Sequence, residues 1–313
     1  MKIENVTIAG GGVLGSQIAF QAAYSGFNIT IYSLPGEEKE IKNKLNKLKD
    51  TYLEEIKIMS KSKKYENWSR GIAGYDEFDE KRCTENAKNA IKNIRITDNL
   101  EESVKDADLV IEAIIENVDK KKEFYQELAP FLRENTIVVT NSSTILPSKL
   151  AKSTGREKMF LSMHFANAIW KNNISEIMMH KNTDERYFNE IIKFAKEIKM
   201  IPLPVLKEKS GYLLNSMLVP FLFAGLDLYV NGISDPESID KAWKLGTGSP
   251  HGPFEILDVV GLPTAYNIVL MYVKIPKFMA PYNFKGMEKL LKEYIDKGKI
   301  GKSVGEGFYK YEK

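Results

Sequence analysis

The sequence is nearly without cysteine. Cys83 is the only one among 313 residues, which excludes an intrachain disulfide and points to a reducing compartment. Neither sign of charge prevails: 45 Lys and Arg stand against 42 Asp and Glu, a formal net charge of +3. With no dense basic block, nucleic acid is not expected as a partner. Long hydrophobic runs are missing too. The most apolar stretch, Met217 to Val230, is interrupted by Pro220 and Asp227 and is too short to cross a bilayer, so no membrane partner is expected. The opening Met-Lys-Ile-Glu-Asn runs directly into a strand-like segment and leaves no room for a signal peptide, so the expected location is cytoplasmic. Only three histidines occur, and no spacing of His, Cys and carboxylates suggests a metal site.

What is present is an alternation. Val6 to Ala9 is a short β-branched run, Ser16 to Ser25 carries Ile18, Ala19, Ala22 and Ala23 at helical spacing, and Ile29 to Tyr32 reads as a second strand. This βαβ unit resumes after a long break. Asn93–Thr97, Leu109–Ile115, Ile137–Thr140, Phe160–Phe165 and Ile174–Met179 read as strands, with helices at Leu100–Lys105, Lys121–Arg133 and Arg186–Ile198. Met200–Val205, with two prolines, fits an edge strand. Alternating strands and helices predict an α/β fold with a mainly parallel, doubly wound sheet. The break, Glu37 to Lys92, is rich in lysine and glutamate, with apolar Leu45, Leu48, Tyr52, Ile56 and Met59 at helical spacing. It predicts an amphipathic helical insert, with a hairpin around Lys57 to Trp68. Its charges read as a solvated face on composition alone. Beyond Leu206 the pattern turns helical, over Tyr212–Val230, Pro236–Leu245, Phe254–Lys274 and Gly286–Lys297. Two domains are therefore expected, residues 1–206 and 207–313.

Between the first strand and helix lies Gly10-x-Gly12-Val13-Leu14-Gly15. In this setting the motif is the Rossmann-type dinucleotide fingerprint. Its first glycine permits the tight turn, the second lets backbone approach a pyrophosphate and the third allows close helix packing, while the helix N-terminus supplies partial positive charge. The rival reading is a glycine turn without a ligand. His164 ends one predicted strand at the carboxyl edge, where doubly wound sheets bind ligands, and Glu176 opens the next. A returning strand would bring carboxylate and imidazole together, as a hydroxyl-oxidising base requires. On spacing alone a structural histidine is the commoner case.

These segments together resemble the short-chain L-3-hydroxyacyl-CoA dehydrogenases, including the 3-hydroxybutyryl-CoA dehydrogenases. The resemblance spans nearly the whole chain. It rests on the glycine loop, Asp108–Ala113 with Glu116-Asn117, Asn141-Ser142-Ser143, His164-Phe165-Ala166-Asn167, Gly211–Asn215, Gly252-Pro253-Phe254 and Gly305–Tyr309. It implies an oxidoreductase moving a hydride between C3 of a short 3-hydroxyacyl-CoA and NAD, with His164 as general base and Glu176 orienting it. It implies further that Ser143 and Asn215 bind the substrate oxygens. Glu116 and Lys121 would lie near the ribose and nicotinamide, and the cofactor site would also include Gly10, Gly12, Val13, Leu14, Gly15, Ser33 and Asn141. The insert would contribute to CoA binding, making Lys57, Lys61, Lys63, Lys64 and Arg70 candidate phosphate contacts. The C-terminal domain would bind substrate and pair two copies, as the nearly all-apolar Met217–Ala224 also suggests; the same helix could instead be the core of a monomer.

The sequence also departs from the family pattern. Ala168 stands where proline is usual, and Ile169–Asn173 replaces a more apolar segment, which puts acyl specificity in question. Ser216 stands where arginine commonly follows Asn215. Ser33 replaces the usual aspartate after the second strand, so NAD is the expected cofactor with NADP not excluded. Alternatives are a dehydrogenase of a free 3-hydroxy acid, carnitine-like or a sugar acid, and a non-catalytic dinucleotide-binding protein. His180 reads as a surface residue, His251 as structural and Cys83 as a packing or surface residue.

Overall fold

In the computed structural model, which describes residues 2–61, 68–276 and 278–311, the alternating pattern becomes one eight-stranded sheet. The elements of the first unit follow in chain order: β1 (Asn5–Ala9), α1 (Val13–Tyr24), β2 (Asn28–Tyr32), α2 (Glu38–Lys61), α3 (Glu80–Ala90), β3 (Ile94–Thr97), α4 (Leu100–Val104), β4 (Leu109–Glu112), α5 (Val118–Leu128), β5 (Ile137–Thr140), β6 (Phe160–Phe165), β7 (Ile174–Met178), α6 (Glu185–Glu197) and β8 (Ile201–Val205). The strand order is β3-β2-β1-β4-β5-β6-β7-β8. Strands β3 through β6 are parallel, β7 returns antiparallel to β6, and β8 lies parallel to β7 at the edge. Pro202 and Pro204 are tolerated there because an edge strand can leave one side unpaired.

The central strands are apolar on both faces. Val138 joins Val110 and Phe160 on one side, packed with Phe124, Tyr125 and Leu128 of α5. Val139 joins Ile8, Ile31 and Ile111 on the other, packed with Ile18, Phe20 and Phe194. A parallel sheet covered on both faces needs such continuous Val/Ile runs. Strand order reverses between β1 and β4, which opens the ligand crevice at their carboxyl ends.

Within the insert, α2 buries Ile41, Leu45, Leu48, Tyr52, Glu55, Ile56 and Met59, the apolar stripe that the sequence spacing predicts. The expected hairpin falls partly on residues 62–67, including Lys63 and Lys64, which lie outside the described residues. Lys57, Lys61 and Arg70 are exposed. Cys83 is buried against the core.

The chain divides into two compact units, Met1–Leu213 and Leu214–Lys313. The second is all helical: α7 (Leu214–Val230), α8 (Pro236–Thr247), α9 (Pro253–Val260), α10 (Leu262–Leu270) and α11 (Phe284–Asp296). The expected single helix over Phe254–Lys274 is in fact two. Gly261 breaks it at φ 91°, a conformation few other residues adopt. The C-terminal tail is tied down by Asp258, whose carboxylate accepts from the backbone N–H groups of Phe308 and Tyr309. Among the described residues no helix is long and apolar enough to cross a membrane.

Candidate active site

The glycine loop leaves β1 and enters α1, and each glycine has a separate geometric reason. Gly10 has φ +112°, and a Cβ there would meet the Ala113 carbonyl oxygen at 2.6 Å. A Cβ on Gly15 would collide with the Gly10 carbonyl, and one on Gly11 with the Ile41 side chain. Gly12 differs: it faces open space. Backbone is therefore packed hard behind the loop and bare in front of it, the shape needed for a phosphate to approach. No side chain caps the start of α1 and no acid lies in its first turn, so its N–H groups and dipole remain available to an anion. The loop fits a dinucleotide. Val13 is exposed beside it, Leu14 is half-buried, and Ser33 is buried at the end of β2.

His164, the penultimate residue of β6, lies directly opposite Glu176 on β7 in the antiparallel register. Nδ1 of His164 lies 2.9 Å from Oε2 of Glu176. Both side chains are nearly inaccessible. The other carboxylate oxygen accepts the Leu213 N–H at 2.8 Å. An ionised carboxylate only accepts, so the imidazole nitrogen facing it carries the proton and the other ring nitrogen is left as the acceptor. Tyr212 covers the imidazole, its ring stacked at 4.7 Å and 17° and its hydroxyl donating to the Ser142 carbonyl at 2.8 Å. Tyr212 belongs to a segment noted in the sequence, yet nothing in one dimension marks it as the imidazole's neighbour.

A second polar cluster sits at the ends of β4 and β5. Glu112 is fully buried and accepts from Lys121 Nζ at 2.5 Å, the Ile114 N–H at 2.9 Å, Tyr125 at 2.8 Å and Thr140 at 2.7 Å. The turn back to Ile114 ends β4 at Glu112, so the strand expected to reach Ile115 is shorter. Lys121, also buried, is 3.5 Å from the second glutamate, Glu116. Glu116 Oε1 accepts from Ser142 Oγ at 2.6 Å and from the N–H and hydroxyl of Thr144. Burial raises the Glu116 carboxyl, but the Ser142 hydroxyl, the Lys121 charge and Thr144 outweigh it and hold it below the ordinary range. Asn141 bonds the Phe165 N–H through its side chain at 3.1 Å, tying the end of β5 to the end of β6. Ser143 is half-buried in the turn after β5, and its carbonyl accepts the Gly211 N–H at 3.3 Å. Asn215 lies near the start of α7, in the second unit.

The loop after His164 takes an unusual path. Ala168 has φ 56°, which proline, fixed near −65°, cannot adopt. Its N–H donates to Gln17 at 2.9 Å. The loop is pinned to the insert by Gly71 N–H to the Trp170 carbonyl at 2.9 Å and by Lys171 to Glu55 at 2.7 Å. His180 corrects the sequence reading: it is buried, with Nε2 3.1 Å from the Glu157 carbonyl. The polar turn that follows folds back over it, the Asn182 N–H meeting Nδ1 at 3.3 Å. His251 is exposed and pairs with Glu255 at 3.4 Å. Among the described residues, no group of three or more His, Cys, Asp or Glu side chains is arranged to hold a metal.

Comparison with known proteins gives this geometry its context. Residues 5–209 match the family model of the 3-hydroxyacyl-CoA dehydrogenase NAD binding domain, and residues 211–311 that of the C-terminal domain. A human protein named hydroxyacyl-coenzyme A dehydrogenase, mitochondrial, is 32% identical over 309 residues, 99% of this chain and 91% of that one. Among solved structures, a diketoreductase described for its catalysis of dicarbonyl compounds is similar with TM-score 0.81 and 44% identity, over 99% of this chain and 100% of that one. The (S)-3-hydroxybutyryl-CoA dehydrogenase of Ralstonia eutropha is similar with TM-score 0.76 and 25% identity, over 100% of both chains.

Proposed function

Since the chain belongs to the 3-hydroxyacyl-CoA dehydrogenase family, we propose that it oxidises the C3 hydroxyl of a short-chain 3-hydroxyacyl-CoA, or reduces the matching ketone, with NAD as cofactor. The observation that carries this reading is the His164–Glu176 pair, held at 2.9 Å at the carboxyl edge of the sheet that bears the glycine loop. Bound NAD supplies the hydride acceptor at its nicotinamide. The protein does the rest. Glu176 fixes the imidazole tautomer, the outward nitrogen of His164 takes the hydroxyl proton, and the carboxylate stabilises the imidazolium that forms.

In this reading Ser143 and Asn215 hold the substrate oxygens, which places C3 for transfer. Gly10, Gly12, Val13, Leu14 and Gly15 cradle the pyrophosphate, and Ser33 meets the adenosine ribose. Glu116, oriented by Lys121 and Ser142, faces the nicotinamide side, with Asn141 bracing the β5 and β6 ends. Exposed Lys57, Lys61 and Arg70 on the insert suit the phosphates of CoA. The reducing compartment that a lone, buried Cys83 suits supports a cytoplasmic location; the human relative is named mitochondrial.

The test is nicotinamide absorbance with acetoacetyl-CoA against a panel of free 3-keto acids and dicarbonyl esters. Turnover of the thioester by at least tenfold over the free compounds is the expected result. A specific observation favours a second reading: the diketoreductase shares more identity with this chain, 44%, than the human relative at 32%. The φ of Ala168 likewise separates the substrate-side loop from a proline-bearing one. If the dicarbonyl compounds are the better substrates, the enzyme acts on small unthiolated ketones.

The second unit also supports a homodimer. α7 is apolar around its circumference, yet Met217 is 67% and Leu228 41% exposed, with Leu245, Val259 and Met271 also open. Apolar surface of that kind marks an interface. Light scattering at micromolar concentration should give twice the chain mass; the mass of one chain would reject pairing.

A further inference from the structure

No side chain of α2 is among the residues proposed to hold the cofactor, yet one reaches the glycine loop. Lys44 brings its Nζ to 3.2 Å from the Gly11 carbonyl, its side chain only 29% exposed. α2 is seated there by Ile41, packed where a Cβ on Gly11 would stand. The neighbouring glycine, Gly10, donates its N–H to the Tyr32 carbonyl at 2.8 Å. The loop is thereby locked against the end of β2, one residue before Ser33. In dinucleotide folds the adenosine ribose lies at this strand end, where an acid binds its 2′-hydroxyl or a nearby cation accepts a 2′-phosphate.

The acid is missing, and the nearby acids are engaged with their own neighbours. Ser33 is neutral and 4% exposed. Glu37 accepts the Leu34 N–H at 3.2 Å, Glu38 pairs with Lys42 at 2.6 Å, and Glu40 pairs with Lys44 at 2.7 Å. The Glu40 partner is an exposed side chain one helical turn away, and such pairs exchange readily for a stronger anion. Gly11 stands between Gly12, whose open face suits the pyrophosphate, and Gly10, which abuts β2. A cation at its carbonyl therefore sits one glycine from the open face of Gly12 and one from the glycine bonded to the end of β2.

We propose that Lys44 and Ser33 form a subsite for a phosphate on the 2′-oxygen of the cofactor's adenosine ribose, so that the chain accepts NADP in addition to NAD. The proposal rests on the dinucleotide reading of the glycine loop. It assigns Lys44 as the charged donor, Ser33 as a hydroxyl donor, and the lack of an acid at position 33 itself, with Glu37 held on the Leu34 N–H, as the reason a dianion is tolerated.

The test is calorimetric titration of the full chain with adenosine 2′,5′-bisphosphate and with 5′-AMP, read without turnover. The bisphosphate should bind at least as tightly as 5′-AMP, with an advantage that shrinks as salt rises. Lys44→Gln should weaken the bisphosphate about tenfold and 5′-AMP by less than about threefold, as loss of one charge-assisted bond implies. Ser33→Asp should weaken the bisphosphate and tighten 5′-AMP. A wild-type chain that binds the bisphosphate a hundredfold more weakly than 5′-AMP overturns the proposal. So does a Lys44→Gln variant that loses both ligands equally, which would put the ammonium on the 5′ side. Failure of both ligands to bind, with no oxidation of NADH, would instead sink the cofactor reading and this subsite with it.

Discussion

Two carboxylates lie buried in the same sheet, Glu112 at the end of β4 and Glu176 within β7, and their partners set them apart. Glu112 is saturated by Lys121, Tyr125, Thr140 and the Ile114 N–H. Its counter-charge is the Lys121 ammonium, 2.5 Å away. Glu176 faces His164 and the Leu213 N–H, and its counter-charge appears only when the imidazole takes a proton. A buried charge with a fixed partner builds framework; removing one member leaves the other stranded. A buried charge with a titratable partner favours one state of that partner over another, which is what a proton-transfer step needs. In the proposed reading, equal burial thus serves structure in one place and chemistry in the other.

The largest break in that comparison comes from the imidazole itself. His164→Gln keeps a polar side chain but removes the base, so kcat should fall on the order of 10²–10⁴-fold, while NADH binding, followed by fluorescence, should hold. More than about a tenth of wild-type activity would show that the proton goes elsewhere.

The two glutamates can then be set against each other. Glu112→Gln leaves the buried Lys121 ammonium uncompensated, and unfolding stability should drop by about 3–5 kcal/mol. Activity per folded molecule should stay within a fewfold. Glu176→Gln should do the reverse. Its partner can stay neutral, so stability should change little, whereas kcat should fall by roughly 10–100-fold, because the tautomer is no longer enforced and the imidazolium is unsupported. Denaturant melts and steady-state rates on both variants check the pair. Matching losses of stability in the two would erase the distinction.

Much of this was legible in one dimension, for identifiable reasons. Ile137–Thr140 and Phe160–Phe165 coincide with observed strands: the first is an almost wholly β-branched run, the second mostly large apolar residues, and short runs of that kind between polar turns have few other uses. The insert's stripe was visible because a helix on a sheet must repeat its apolar positions. His164 and Glu176 could be paired because a returning strand is the shortest route between them. Other features had no linear signature. His180 lies in a polar turn that folds over it. Lys121 was marked through the family resemblance as a residue near the cofactor, but nothing in the sequence pairs it with Glu112, and only the fold buries the two together. Ala168 was noticed as a missing proline, but that its backbone excludes proline is a fact of φ.

Tyr212 supplies the smallest effect and the sharpest question, because it touches both regions. Gly211 and Tyr212 follow one another at φ 80° and 50°, a left-handed pair that a tyrosine adopts only at some cost in strain. The pair turns the ring face-on to His164 and the hydroxyl to the Ser142 carbonyl. Ser142 in turn donates to Glu116, whose other oxygen faces Lys121. Burial holds the phenol well above its ordinary value, so it stays a neutral donor throughout the working range. If His164 is the base, as proposed, Tyr212 acts as a positioning residue that packs the imidazole and exchanges no proton with substrate. Tyr212→Leu removes the stacked face and should lower kcat about tenfold, with the pH profile altered on the limb that reports the base. Tyr212→Phe restores the face, loses only a bond of about 0.5–1.5 kcal/mol, and should recover most of the rate. If Phe were as slow as Leu, the hydroxyl and not the ring would be the part that matters. Combining Tyr212→Phe with Glu112→Gln then asks whether the framework cluster and the catalytic pair are one network. Stability losses that add within about 0.5 kcal/mol mean two separate regions, whereas a larger coupling would mean that the carbonyl of Ser142 carries strain from one carboxylate to the other.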